Sequence, residues 1–260
     1  MPGSVQDIIA ARLDRLPPDN KRITQYAAII GRTFWQELLS HITDADSVEP
    51  TLSLLAVRQL ADRLSQSQIA EDWEWMFRHI LIQEVAYTTV PKTSRRAVHK
   101  QVAEQLEQEL DEQTSFLLPL IGFHFEQGDV PDRAVYYLRQ AGEQAASQFA
   151  NEAAVGYFSR ALAILAAQAQ EAALTPEQQR QQYQLLLGRA EVYHLTGQRS
   201  RRRLTWRACK SWRINRAASD SWRKWRSSLP LTTRRSVISQ RPLPMPKRPL
   251  STPTTPKICK

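Results

Sequence analysis

Ala134-Val135-Tyr136-Tyr137-Leu138-Arg139-Gln140-Ala141 is followed twenty residues later by Ala154-Val155-Gly156-Tyr157-Phe158-Ser159-Arg160-Ala161. In both strings, small residues seven apart bracket an aromatic pair. On a helix that spacing lets a neighbouring helix approach closely at Ala134, Ala141, Ala154 and Ala161, while Tyr137, Tyr157 and Phe158 fill the groove between them. This is the second-helix signature of tetratricopeptide (TPR) repeats, although twenty residues falls short of the usual period of about 34. The repeats therefore read as degenerate. Ala190, Tyr193 and Gly197 give a first-helix pattern of a small residue, an aromatic and a helix-ending glycine, whose partner helix should come next, but the sequence after Gln198 has no periodic apolar face to supply it.

Working towards the N-terminus, apolar residues recur with a period near 3.6. Val5, Ile8, Ile9 and Leu13 make a first stripe that closes before Leu16-Pro17-Pro18, since a residue preceding proline avoids the helical region. Asp19 reads as the N-cap of a second helix carrying Ile23, Tyr26, Ala27 and Ile30 and ending at Gly31. A short helix from Phe34 to His41 and a longer one from Asp46 to Leu64 are expected next. Between Ser67 and Phe77 the period changes to two, with Ile69, Trp73, Trp75 and Phe77 alternating with polar residues and Glu71-Asp72 at the turn. Trp73 and Trp75 are expected on one face of this hairpin, plugging it against the helices. Two further amphipathic helices, split by Pro91, carry Ile80, Leu81, Val85 and Ala86, then Val98, Val102, Leu106 and Leu110. Several helices followed by a small hairpin form the pattern of a winged helix.

The fold class is thus mainly α: a winged-helix-like unit with one small β-hairpin over residues 1–110, incomplete TPR-like helical repeats over 111–198, and a basic tail of low order over 199–260. Charge divides the chain at the same place. Residues up to Gln198 hold 17 of the 35 Lys and Arg and 25 of the 26 Asp and Glu, whereas the last 62 residues hold the remaining 18 cations and only Asp220. All 8 glycines precede Arg199, while 7 of the 15 prolines, 4 of the 7 tryptophans and both cysteines follow Gln198.

Winged helices commonly place a helix in the DNA major groove. Residues 1–110, however, carry 12 basic against 15 acidic side chains, and nucleic-acid affinity depends on neutralising phosphates. A winged helix used for packing is the better reading. A nucleic-acid-binding protein that uses the winged helix and the basic tail is the alternative, since Arg neutralises phosphate and Trp stacks on bases. No apolar run is long enough for a membrane span and no signal-peptide pattern opens the chain, so a cytoplasmic location is expected. Cys209 and Cys259 lie in no ligand spacing, and His41, His79, His99, His124 and His194 are scattered, so no metal site is expected. Arg95-Arg96 with His99-Lys100 reads as a solvated basic face. No nucleophile–base pair stands out, and no enzymatic activity is expected.

The strings Ile9-Ala10-Ala11-Arg12-Leu13-Asp14-Arg15-Leu16-Pro17, Ala27-Ala28-Ile29-Ile30-Gly31-Arg32-Thr33-Phe34 and Phe77-Arg78-His79-Ile80-Leu81-Ile82-Gln83-Glu84-Val85-Ala86-Tyr87 resemble the segment that follows the nucleotide-binding module in bacterial regulatory ATPases of the STAND type. In that family the ATPase core, often joined to an adenylate or guanylate cyclase or to a transcription-activator domain, is followed by a winged helix and TPR-like helices. The resemblance covers roughly residues 1–198, with three separated motifs in the family order. It implies the back portion of a longer signalling regulator, partnered by an upstream ATPase module and by a protein or small-molecule signal on the repeats. It also implies that His79 matches the family histidine that touches the phosphates of bound ADP, with Ile80 where an Asp is usual. The chain has no Gly-x-x-x-x-Gly-Lys-Ser/Thr loop, so no cofactor is expected for the chain itself, and ATP or ADP only in a full-length parent.

The missing partner helix and the basic tail have one explanation, a shift of reading frame near residue 200. Read one base earlier, proline codons (CCN) become NCC and can encode Ala, and threonine codons (ACN) become NAC and can encode Asp or His. Met245 to Lys260 can then spell an Ala-rich helix of the kind the array lacks. An array stopped after Gln198 is expected to leave the helix from Pro176 to Thr196 open on one side and marginally stable, because each repeat of a solenoid covers its neighbour. Sequencing the locus should reveal a helical continuation in the neighbouring frame; its absence contradicts the frame shift.

Overall fold

Ser4 begins the first helix by a reciprocal capping box, its hydroxyl accepting from the Asp7 N–H while the Asp7 carboxylate accepts from the Ser4 N–H. In the computed structural model, residues 4–205 are described apart from 46, 70, 71 and 112. Helix α1 (Val5–Asp14) buries Ile9 and Leu13. Helix α2 (Pro18–Ile30) follows, and the start at Pro18 displaces the expected cap: Pro17 is the N-cap and Asp19 lies in the first turn. Proline with its fixed φ suits the first helical position, where its missing N–H costs nothing, and Asp19 complements the positive end of the helix.

The next segment departs from the sequence reading. Thr33–Trp35 forms strand β1, so helix α3 (Gln36–Thr43) starts after Phe34 rather than at it. Helix α4 (Glu49–Val57) stops well short of Leu64. Gln59 takes a left-handed φ of 55°, and strand β2 (Ala61–Arg63) begins beyond it. Strand β3 (Glu74–Phe77) is central in the sheet order β1-β3-β2 and pairs antiparallel with both neighbours, Phe34 opposite Trp75 and Ala61 opposite Phe77. The sheet therefore has three strands in place of the expected hairpin. Its β2–β3 connection, residues 64–73, is longer than the Glu71-Asp72 turn read from the sequence; Asp72 lies near its end and Glu71 outside the described residues. Phe34 and Phe77 are fully buried with ring centroids 5.2 Å apart, which fastens the sheet to the helices. Trp75 is buried, but Trp73 is 51% exposed, its ring covered by the Arg63 guanidinium at 4.3 Å. Strand alternation starts only at Glu74, so it does not govern Trp73.

Helices α5 (Ile80–Thr88) and α6 (Lys92–Gln108) stand on either side of Pro91, as the sequence indicates. A short 3-10 turn (Ser115–Leu117) leads into α7 (Leu118–Gln127), α8 (Pro131–Ser147), α9 (Asn151–Glu171) and α10 (Pro176–Leu195). The main apolar core runs without interruption from Ile9 on α1 to Ala141 on α8, and a second core joins α8, α9 and α10 from Val135 to Val192. None of these helices is long and apolar enough to cross a membrane, among the described residues.

The chain beyond α10 modifies two expectations. Gly197 turns the backbone with a φ of 70°, and residues 199–205 are again helical. Arg202 approaches the His194 ring, Nη1 to Nδ1 at 3.1 Å, and Thr205 is buried. Helix α10 is not open on one side: Leu185 and Val192 face the second core, while Tyr183, Leu186, Ala190 and Tyr193, spaced by three and four residues, are buried as well. Residues 199–205 are therefore helical where a tail of low order is expected. The remainder of the tail, 206–260, lies outside the described residues.

A methyl group built on Gly142 of α8 would sit 2.5 Å from the Phe158 ring of α9, whereas one on Gly156 meets nothing within 4 Å. Gly142→Ala should therefore destabilise the chain by about 1–3 kcal/mol through overpacking, and Gly156→Ala should stabilise it by about 0.5–1 kcal/mol through helix propensity. Urea unfolding of the two variants measures both signs.

Candidate functional site

His79 is the N-cap of α5, its φ of −134° extended and its Nδ1 accepting from the Leu81 N–H at 3.1 Å. Accepting through Nδ1 fixes the neutral ring as the tautomer that carries its proton on Nε2. The side chain is exposed, so that N–H faces outward as a donor. Arg78 beside it makes a bidentate pair with Asp62, Nε to Oδ2 at 2.6 Å and Nη2 to Oδ1 at 3.0 Å. His79 is thus held by its own helix and aimed by it.

The repeat residues fall on consecutive antiparallel helices. Ala134, Tyr137 and Ala141 lie on α8, and Ala154, Tyr157, Phe158 and Ala161 lie on α9, so the twenty-residue interval is the length of one helix and its turn. Ala134, Ala154, Phe158 and Ala161 are essentially inaccessible, and Tyr157 is half-buried between the two cores. Tyr137 stacks on Phe125 at 5.7 Å and donates its hydroxyl to Glu107, which Arg133 also engages. Ala190 and Tyr193 are buried on α10, with Gly197 past its end.

The basic face expected around Arg95 is not solvated as a unit. Arg96 pairs with Asp129 and Lys100 with Glu104, and the Arg95 guanidinium lies 4.5 Å over the Tyr87 ring. His99 turns inward and is 1% exposed. It is one end of a polar pair that the scattered sequence positions conceal. His99 Nδ1 and His124 Nδ1 are 2.8 Å apart, His124 Nε2 is 3.2 Å from the Ile30 carbonyl oxygen, and the Tyr87 hydroxyl is 3.1 Å from His99 Nε2. A carbonyl only accepts, so His124 donates from Nε2 to Ile30. Its Nδ1 must then accept from His99 Nδ1–H, which leaves His99 Nε2 to accept from the Tyr87 hydroxyl. Every polar atom of both rings is satisfied in this proton arrangement, with both imidazoles neutral.

Burial and the Arg95 charge push His99 down to about 4; burial and the neighbouring His99 push His124 down to about 3 against the hydrogen bond to Ile30. A cleft of about 730 Å³ opens beside the pair, with Ile30, Tyr87, His99 and Phe123 in its lining and Asp7 and Glu84 as its carboxylates. The sequence signal for the pair was weak but present: His99 adjoins the Val98–Val102 stripe of α6, and His124 lies between Ile121 and Phe125 on α7. Asp72 was also missed as a functional position. Its Oδ1 accepts from the Glu37 N–H at 3.0 Å and so caps α3 from the sheet side, while burial raises its carboxyl above the ordinary range.

No group of three or more metal-ligating side chains occurs among the described residues. Compared with known proteins, the chain matches no family model, no curated protein and no solved structure.

His124→Leu strands the Ile30 carbonyl and the His99 N–H in an apolar site. It should cost about 2–4 kcal/mol by the penalty for unpaired buried groups, read as a lowered urea midpoint with an unchanged m value.

Proposed function

We propose that this chain is a non-catalytic regulatory element of a STAND-type signalling ATPase, in which the unit from α2 to α5 is a winged-helix lid on the nucleotide domain and the helices from α7 onward are TPR-like sensor repeats. The observation that carries the reading is the element order α2-β1-α3-α4-β2-β3 with β3 between β1 and β2, which is the arrangement of a winged helix. The exposed side of α4, the last helix before the β2–β3 pair, consists of Glu49, Pro50, Ser53 and Val57. It presents no cation to a phosphate backbone, which favours a lid over a DNA reader.

His79 is suited to the lid role. Its Nδ1 is occupied by the Leu81 N–H, so Nε2–H is the atom available to donate to a phosphate oxygen. The sensor role needs mechanical continuity between the repeats and the lid, and the core that runs from Ile9 to Ala141 provides it. A ligand that prefers one arrangement of the repeats then shifts the population of lid-closed molecules by its differential affinity.

The test joins this chain behind a P-loop ATPase module of the same class in one polypeptide and measures ADP dissociation. His79→Ala should speed ADP release by roughly 10-fold, the loss of one charge-assisted hydrogen bond, while leaving the melt unchanged to within a cap's contribution of about 1 kcal/mol. Release at the unaltered rate contradicts the assignment.

A further inference from the structure

The hydrogen-bonded series Tyr87, His99, His124 and Ile30 draws its members from α5, α6, α7 and α2. Three of the four elements belong to the first 110 residues, and α7 opens the helical array. The series is therefore a buried polar joint between the two parts of the chain, beside the more exposed ion pairs of Arg133 with Glu107 and Arg96 with Asp129. It differs in kind from the apolar packing around it, because a proton on either ring puts a charge into the core.

We propose that the buried His99–His124 pair is an acid-releasable latch, which holds α7 and the array behind it against α2, α5 and α6 and lets go when an imidazole takes up a proton. The single N–H between the two Nδ1 atoms explains the sensitivity. A proton added to His124 Nδ1 sets N–H against N–H, and one added to His99 Nε2 turns the Tyr87 hydroxyl from donor to acceptor and leaves an imidazolium buried beside Arg95. Arg95, Tyr87, Asp7 and Glu84 are the charged and titratable side chains beside the pair. Arg95 on α6 opposes a second positive charge. Tyr87 on α5 can turn its hydroxyl to accept from His99 but brings no negative charge. Asp7 on α1 and Glu84 on α5 are carboxylates of the cleft that His99 lines, and Asp7 is engaged by the Ser4 N–H. From α2 comes the Ile30 carbonyl and from α7 the Phe123 ring, edge-on to His99 at 5.8 Å, neither of which can neutralise an imidazolium.

The sign follows from linkage. Latched, the rings titrate at about 4 and about 3; released into water, each titrates near its ordinary value of roughly 6.5. The stabilisation is complete above that ordinary value and is lost as the pH falls towards the latched values. Between pH 7.5 and 5.5 each released ring gains roughly 10-fold in proton uptake, so two rings raise the open-to-latched ratio roughly 100-fold. The response therefore begins close to neutrality.

Hydrogen exchange of the full chain, corrected for the intrinsic pH dependence of amide exchange, measures this directly. The expected result is a roughly 100-fold fall in protection of α6 and α7 amides between pH 7.5 and 5.5, with α9 amides unchanged. Unchanged protection in α6 and α7, or an equal loss in α9, overturns the proposal. His99→Phe with His124→Leu should abolish the response, and its persistence in that variant also overturns it. Tyr87→Phe keeps both imidazoles and guards against a double variant that fails to fold: it should open more at both pH values with the same roughly 100-fold ratio, and loss of the ratio counts against the latch.

Discussion

One apolar core, continuous from Ile9 to Ala141, is the constraint on which the rest of this structure depends. It takes side chains from the sheet, from the helices around it and from α7 and α8, so the unit of the first 110 residues and the beginning of the array cannot separate without exposing apolar surface to water. The cost of that exposure is what makes the two parts one mechanical body. Within it, the contact of His99 with His124 depends on proton state as well as on shape.

The periodic pattern carried most of the helices. Ile9 and Leu13, Val98 and Val102, and the small-aromatic strings of α8 and α9 each announce a buried face, and the helices appear at those places. Strand β1 was not legible because three residues cannot display a period. Phe34 is a strand residue only because Trp75 pairs with it across the sheet. The same long-range pairing, Ala61 with Phe77, ends α4 early through the left-handed Gln59. These are tertiary decisions that a local reading of propensity has no means to anticipate.

The candidate site divides in the same way. His79 is singled out by the family resemblance, and it caps α5 through its own side chain. The pairing of His99 with His124 could not be read from the sequence, because it depends on how α6 and α7 are turned towards each other across 25 residues. Burial reverses the expected role of His99 from a member of a solvated basic face to a neutral core group. The repeat interval has an equally simple cause: α8 starts at Pro131 and α9 at Asn151, so twenty residues is one helix with its turn, and Phe158 reaches across to Gly142 where a side chain would not fit.

The central claim is that sheet unit and helical array share one cooperative structure, which the proposed lid and sensor roles require. Hydrogen exchange of the full chain across a urea series tests it most directly, by comparing the opening free energies of α2 and α8 amides as denaturant rises. The account predicts that the two converge on a single global value with one m value. Two separate transitions, with α8 opening fully while α2 stays protected, would contradict it.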